Sequence, residues 1–358
     1  MKKLIFKNFI VFICLISVII TGSSITIDIY KYFKSINPNK SFEQHTLPNY
    51  INQPWAEKHF IEYYNLGLTY YDYIIWKRDD FKGETITIKN GYRLNNSEED
   101  FKLEKDIWVF GGSTIWGTGT RDYETIPALI EKKTGTSTLN LGETGYTSSQ
   151  QLNLLIKNMI KHNPKIIIFY DGVNEVFSKC KKENNYFSAL REKRIQDLLK
   201  KNETNFQIIL KPTFKIINFL KRKILRKDTS NNQEKEFDCD INIRKSEDIA
   251  KTLVSNWEIV KSISQQNGIK FIPILQPTAF STKSLTNHLS LNEELKSQYE
   301  KVYFQIKKEL DLKKINYLNL ENSLNKKDYY FIDFCHLSLN GNEIIVDKIL
   351  SSNLWLDK

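Results

Sequence analysis

From residue 106 onward, short apolar runs alternate with longer segments of helical period. Five runs read as strands: "IWVFGG" (107–112), "STLNLG" (137–142), "KIIIFY" (165–170), "IKFIPIL" (269–275) and "INYLNL" (315–320). Between and after them, apolar residues recur every three or four positions over 124–133, 149–162, 246–267, 292–312 and 339–350. Nearly continuous apolar strands separated by amphipathic helices predict a parallel sheet covered on both faces. Ligands of such sheets bind at the carboxyl ends of the strands, so the loops after 110, 142 and 170 are where chemistry is expected.

Outside this alternation the pattern changes twice. Residues 31–100 read as a polar linker, to about 48, and then an aromatic-rich layer. Trp55, Phe60, Tyr63, Tyr64, Tyr70, Tyr71, Tyr73 and Trp76 crowd residues 50–81. Two uses are open: the core of a small packed layer, the commoner one, or a platform stacking on sugar rings. Ile86 and Ile88 alternate ahead of Asn90-Gly91, a hairpin signal. The second break is residues 178–245, rich in Lys and Asn, which read as an insertion over the sheet. Its segment 213–227 places Phe214, Ile217, Leu220 and Ile224 on one helical face and basic residues opposite. Such a helix rests on an anionic membrane, covers the pocket as a lid, or simply packs on the sheet.

The amino terminus carries Lys2, Lys3 and Lys7 ahead of an uncharged stretch, residues 8–27. A bilayer core takes about 20 such residues as a helix. Basic residues before the span favour a signal anchor with its start in the cytoplasm and the rest of the chain outside, in the inner membrane. The rival is a signal peptide cleaved near "TGSS". The domain reading is therefore 1–30 anchor, 31–100 linker and aromatic layer, and 101–358 catalytic domain with the 178–245 insertion.

Composition narrows the field. Of 358 residues, 41% are hydrophobic, enough for a sizeable core. The net charge of +10 is spread along the chain, without zinc-finger spacing, an RNA-recognition signature or a basic heptad region, so no nucleic-acid partner is expected. The four cysteines form no C-x-x-C. Cys14 lies in the anchor, and Cys335 stands beside a histidine. Cys180 and Cys239 either pair in an oxidising compartment or stay free. His45, His59, His162, His288 and His336 are scattered without ligand spacing, so neither metal nor cofactor is expected.

Four stretches carry candidate chemistry. Gly111-Gly112-Ser113-Thr114 ends the first strand, "NLGETGYTS" the second and "YDGVNEV" the third, while "FIDFCH" precedes the last helix. The first is no dinucleotide-binding turn, lacking G-x-G-x-x-G, and no P-loop, lacking G-K-[ST]. In order and placement the four resemble the blocks of the SGNH hydrolases, or GDSL-type esterases, over about residues 100–355. The resemblance is to membrane-anchored bacterial members whose serine block reads G-G-S-[ST]. It implies a flavodoxin-like three-layer α/β/α sandwich with a five-stranded parallel sheet. It implies Ser113 as nucleophile, His336 as base and Asp333 as the group orienting the imidazole. It implies an oxyanion hole from the N–H of Ser113, the N–H of Gly145 and the side-chain amide of Asn174. The "G-x-[ST]" ending favours Gly145 over Gly142 for the second donor. The expected activity is a serine esterase acting on an O-acyl group, such as O-acetyl, of a cell-envelope glycan or lipid. An acyltransferase with the same acyl-serine intermediate, or a non-catalytic glycan-binding protein, are the alternatives.

Overall fold

The computed structural model describes residues 43–190 and 235–356 continuously, with scattered residues of the first 27 and residues 192 and 213. Of the expected anchor, 8–27, residues 8, 11, 12, 15, 16, 19, 20 and 22–27 are described, all helical, and of the expected basic helix, 213–227, all but residue 213 lie outside the described residues. Among the described residues no helix is long and apolar enough to cross a membrane. The chain divides into one unit of Met1–Ser41 and Lys193–Lys235 and a second of Phe42–Glu192 and Glu236–Lys358. The second unit carries everything that follows.

Strands β1 (Leu68–Tyr71), β2 (Ile75–Arg78), β3 (Phe81–Lys82), β4 (Thr87–Lys89) and β5 (Tyr92–Arg93) form the amino-terminal layer with helix α1 (Ala56–Asn65). The expected hairpin joins β4 to β5. Asn90 and Gly91 both have positive φ, 55° and 77°, as a two-residue type I′ turn requires. The aromatics of this layer divide. Phe60 and Trp76 are buried, whereas Tyr70 and Tyr73 face solvent.

The main sheet contains β6 (Ile107–Gly111), β7 (Thr138–Gly142), β8 (Ile166–Asp171), β9 (Lys270–Leu275) and β10 (Leu318–Asn319). All pairings are parallel, and the spatial order is β10-β9-β8-β6-β7. This is the flavodoxin-like order, whose switch point lies between β6 and β8. Period-2 alternation assigns each strand's side chains to opposite faces. Trp108, Phe110, Leu139, Leu141, Ile167 and Phe169 enter one core, and Ile107, Val109, Ile168, Tyr170, Ile272 and Ile274 the other.

Helices α4 (Ser148–Met159), α5 (Val173–Lys179), α6 (Ile243–Gln266) and α7 (Glu293–Lys313) cover the first face. Helices α3 (Ile126–Thr134) and α8 (Leu339–Leu350) cover the second. The fifth strand is shorter than the apolar run at 315–320 suggests. It pairs only through Leu318↔Ile274 and Asn319↔Leu275. One step earlier Tyr317 would stand opposite Pro273, which has no N–H to give a ladder.

The base of the insertion is closed by a Cys180–Cys239 disulfide. Lys181 and Phe237 form an antiparallel bridge beside it. Of the two fates open to these cysteines, the fold selects pairing, because Asp238 N–H donates to Cys180 O and brings the two chain segments together.

Candidate active site

Ser113 is the first residue of α2 (Ser113–Trp116), a single turn that starts directly after β6 and Gly112. A first-turn N–H has no intrahelical partner, and among the described residues Ser113 N–H has no acceptor. The turn is closed by Trp116 N–H to Gly112 O and Gly117 N–H to Ser113 O. Gly142 ends β7 against it: a Cβ there would stand 2.5 Å from Trp116 N.

His336 and Asp333 lie at the tip of a tight loop ahead of α8. Ile332 N–H donates to His336 O and Ser338 N–H to Tyr330 O, which closes the loop. Asp333 Oδ1 accepts from the N–H groups of Cys335 and His336, both at 2.8 Å. Its other oxygen, Oδ2, lies 2.5 Å from His336 Nδ1. The Asp-x-x-His spacing thus works through a local turn that aims carboxylate and ring the same way. His336 Nε2 lies 2.6 Å from Ser113 Oγ. A carboxylate only accepts, so Nδ1 carries the ring proton and Nε2 is left to accept from the serine hydroxyl.

Burial works to raise the Asp333 carboxyl. The His336 charge and the hydrogen bonds from the ring and the two N–H groups outweigh it and hold the group down to about 2. Cys335 Sγ lies 3.7 Å from His336 Nδ1, and burial pushes its thiol well up, so it stays protonated. Asp333, Cys335 and His336 bring three potential metal-donor atoms within 4.8 Å of one another. Two of these three residues already commit those atoms to each other.

The other two blocks meet over Gly112. Asn174, on α5, donates from Nδ2 to Tyr146 O at 2.8 Å, which leaves its second amide hydrogen. A Cβ on Gly112 would stand 2.1 Å from that nitrogen. Gly112 is therefore required by the Asn174 amide itself.

Gly145 has φ +82° in a turn closed by Tyr146 N–H to Glu143 O. Positive φ at the third position is what a type II turn demands. Its N–H has no acceptor among the described residues. A Cβ on Gly145 would meet Leu190 Cδ2 at 2.7 Å, so here too the crowding is internal. Glu175 ties the second and third blocks together, accepting from Ser148 N–H at 2.6 Å and Gly172 N–H at 3.3 Å.

The residues that support these loops carry no signal of that role in the sequence. Arg78, Arg93, Glu143, Glu175 and His59 are all buried. The trace of Arg78 is its position two residues after Trp76, on the inward side of β2. A charge at an inward period-2 position needs partners that only the fold supplies.

No protein-family model and no curated protein matches the chain. Solved structures do. A member of the lipolytic protein G-D-S-L family from Veillonella parvula aligns at 12% identity over 69% of this chain and 97% of its own, with a TM-score of 0.40. A GDSL-like lipase from Bacteroides thetaiotaomicron aligns at 16% identity over 70% and 88%, with a TM-score of 0.37. An acetyl xylan esterase aligns at 14% identity over 68% and 98%, with a TM-score of 0.38. At these values the reading of the site rests on its own geometry.

Proposed function

We propose that this chain is a serine esterase of the SGNH type. The observation that carries the reading is the hydrogen-bonded row Ser113 Oγ, His336 Nε2, His336 Nδ1 and Asp333 Oδ2 at the mouth of the β6–β8 switch point. A serine hydroxyl attacks an acyl carbon only when a neutral imidazole takes its proton. Ser113 Oγ forms the bond to the carbonyl carbon, and its proton passes to His336 Nε2. Asp333 balances the imidazolium. The oxyanion then accepts from Ser113 N–H, Gly145 N–H and the Asn174 amide. The intermediate collapses, His336 gives its proton to the leaving alkoxide, and the alcohol departs. Water repeats the sequence on the acyl-serine and releases the acid.

The substrate in this reading is an O-acyl ester, such as an O-acetyl group, on an envelope glycan or lipid. The protein acts outside the cytoplasm, anchored by residues 8–27. The uncharged span and the Cys180–Cys239 pair, a bond that persists in oxidising compartments, support that location. Protease added to spheroplasts then digests the chain beyond the anchor. A mature protein beginning near Ser24 and free in the periplasm would replace the anchor with a cleaved signal.

The activity is tested with a fluorophosphonate probe on the full chain. Attachment at Ser113, lost in Ser113→Ala, is the expected result. A label that persists in that variant rejects Ser113 as the nucleophile.

A further inference from the structure

We propose that the amino-terminal β layer positions the oxyanion donors through two buried arginines, Arg78 on β2 and Arg93 on β5. This rests on the esterase reading above and adds to it a role for residues outside the four blocks.

Arg93 has no solvent exposure in its side chain. All five of its N–H donors are matched. Nε donates to Asp122 Oδ1 at 3.0 Å, Nη1 to Trp116 O at 3.1 Å and Gly117 O at 2.6 Å, and Nη2 to Thr85 O at 3.2 Å and Thr120 O at 2.6 Å. Two of these acceptors lie at the end of the nucleophile turn, beyond its intrahelical bonds; Gly117 O also accepts from Thr120 N–H at 3.2 Å and Trp116 O from Asn140 Nδ2 at 3.5 Å. One turn of helix has too few internal bonds to fix its direction. Its aim comes from outside the turn, from the guanidinium that grips its end and from Asn140 of β7, whose Nδ2 donates to Ile115 O at 3.0 Å. Gly117, at φ +94°, leaves room for the grip, since a Cβ there would stand 2.9 Å from Arg93 Nη1.

Arg78 does the same for the second block. Its Nε donates to Glu143 Oε1 at 3.2 Å and its Nη2 to Thr144 Oγ1 at 3.0 Å. Glu143 Oε1 also accepts from Thr144 N–H at 2.6 Å. These are the two residues immediately before Gly145, whose N–H is the second oxyanion donor. The Trp116 indole lies against both guanidiniums, 5.3 Å from Arg78 and 4.5 Å from Arg93, and links the two grips.

Stability is a poor reason for such an arrangement. Burying an ion pair costs about as much in desolvation as its attraction returns. The Arg78–Glu143 side chains are 6% and 4% exposed, a site where well-packed apolar residues would hold the layer at least as well. What apolar residues lack is the directional fork that fixes carbonyls and carboxylates in one geometry. Oxyanion donors need that fixity: misplacement by about 1 Å costs up to about 100-fold in rate.

The test uses the full chain with para-nitrophenyl acetate, the fluorophosphonate probe and thermal denaturation. The double variant Arg78→Met/Glu143→Gln removes the charge pair while keeping volume. It is expected to unfold within about 4 °C of wild type, a stability change of about 1 kcal/mol or less. Its kcat is expected to fall about 10- to 100-fold with KM within about twofold, the pattern for a contact made only in the transition state. If the double variant does not fold, Arg78→Lys keeps the charge but loses the fork, and its kcat should fall about 10-fold at constant KM. A folded variant with wild-type kcat overturns positioning while leaving the esterase intact. Wild-type protein that neither labels nor turns over overturns both.

Discussion

His336 Nε2 stands 2.6 Å from Ser113 Oγ across 223 positions of sequence. One residue follows the first strand of the sheet and the other precedes α8. Their contact requires the parallel sheet to be complete and α8 to be docked on its second face. Catalysis, in the proposed reading, is therefore a property of the finished fold.

The relay gives the first prediction. Asp333→Asn places an amide opposite His336 Nδ1. The amide presents hydrogens there, the ring reverses its tautomer, and Nε2 no longer accepts from Ser113. Turnover is expected to fall on the order of 10³- to 10⁴-fold. Fluorophosphonate labelling should slow in parallel while circular dichroism stays unchanged. Normal labelling in this variant would mean that Asp333 does not set the tautomer.

Asn174 is predicted to act through its second amide hydrogen. Asn174→Ala should lower kcat about 100- to 1,000-fold, the loss for one oxyanion donor. Asn174→Asp should be at least as damaging, because a carboxylate donates nothing and repels the developing charge. Steady-state kinetics on the two variants checks the order.

Gly145 separates backbone strain from crowding. Gly145→Ala forces a side chain onto φ +82° and brings its Cβ to 2.7 Å from Leu190 Cδ2. The αL conformation alone costs about 1–2 kcal/mol. Adding Leu190→Ala removes the clash but leaves the φ. The double variant should therefore stay destabilised by most of that amount and stay slow. Full recovery in a denaturant titration would assign the effect to the clash.

Acid stability is predicted to depend on His59. Burial, with the charges of Arg93 and Arg121, pushes its pKa well below the ordinary histidine value. Its Nε2 accepts from Gly119 N–H and its Nδ1 pairs with Thr85 Oγ, so the folded ring is neutral. The unfolded chain takes up a proton below about 6.5 that the folded chain refuses. Stability should thus fall as pH drops below that value, by at most about 1.4 kcal/mol per unit. Asp333 acts lower: its depressed pKa adds stability that is lost only as pH falls from about 4 through about 2. His59→Gln keeps one donor and one acceptor without the proton site. Its melting temperature should change less between pH 7 and 5 than that of the wild type.

Closing the 59-residue separation between Cys180 and Cys239 is expected to contribute about 2–4 kcal/mol, chiefly by restricting the unfolded chain. Cys180→Ser/Cys239→Ser should lower the denaturant midpoint by a matching amount. Reduction of the wild type should reproduce the shift, and no shift in either would mean that the insertion's base is held by other contacts.

Five strands, their order in the chain and the four blocks at their ends could be read from the residues, because period 2, period 3.6 and glycine turns are local properties. The helix at Leu339–Leu350 begins and ends where its apolar spacing begins and ends. Ser113, His336 and Asp333 are proposed as nucleophile, base and orienting carboxylate on block order, which is also sequential information. Local signals fail for groups whose partners are distant in sequence. Arg93 is one polar residue in a short strand until the fold closes carbonyls from 85, 116, 117 and 120 around it. Gly145 is one of several glycines until Glu143 and Tyr146 close a turn that needs φ above zero. Cys180 and Cys239 had two fates until an antiparallel bridge brought their segments together. The sequence by itself thus determined the alternating strands and helices of the main sheet and the four blocks that carry the candidate chemistry. Tertiary structure alone decided what holds them in place, since a buried hydrogen bond is specified by both its ends.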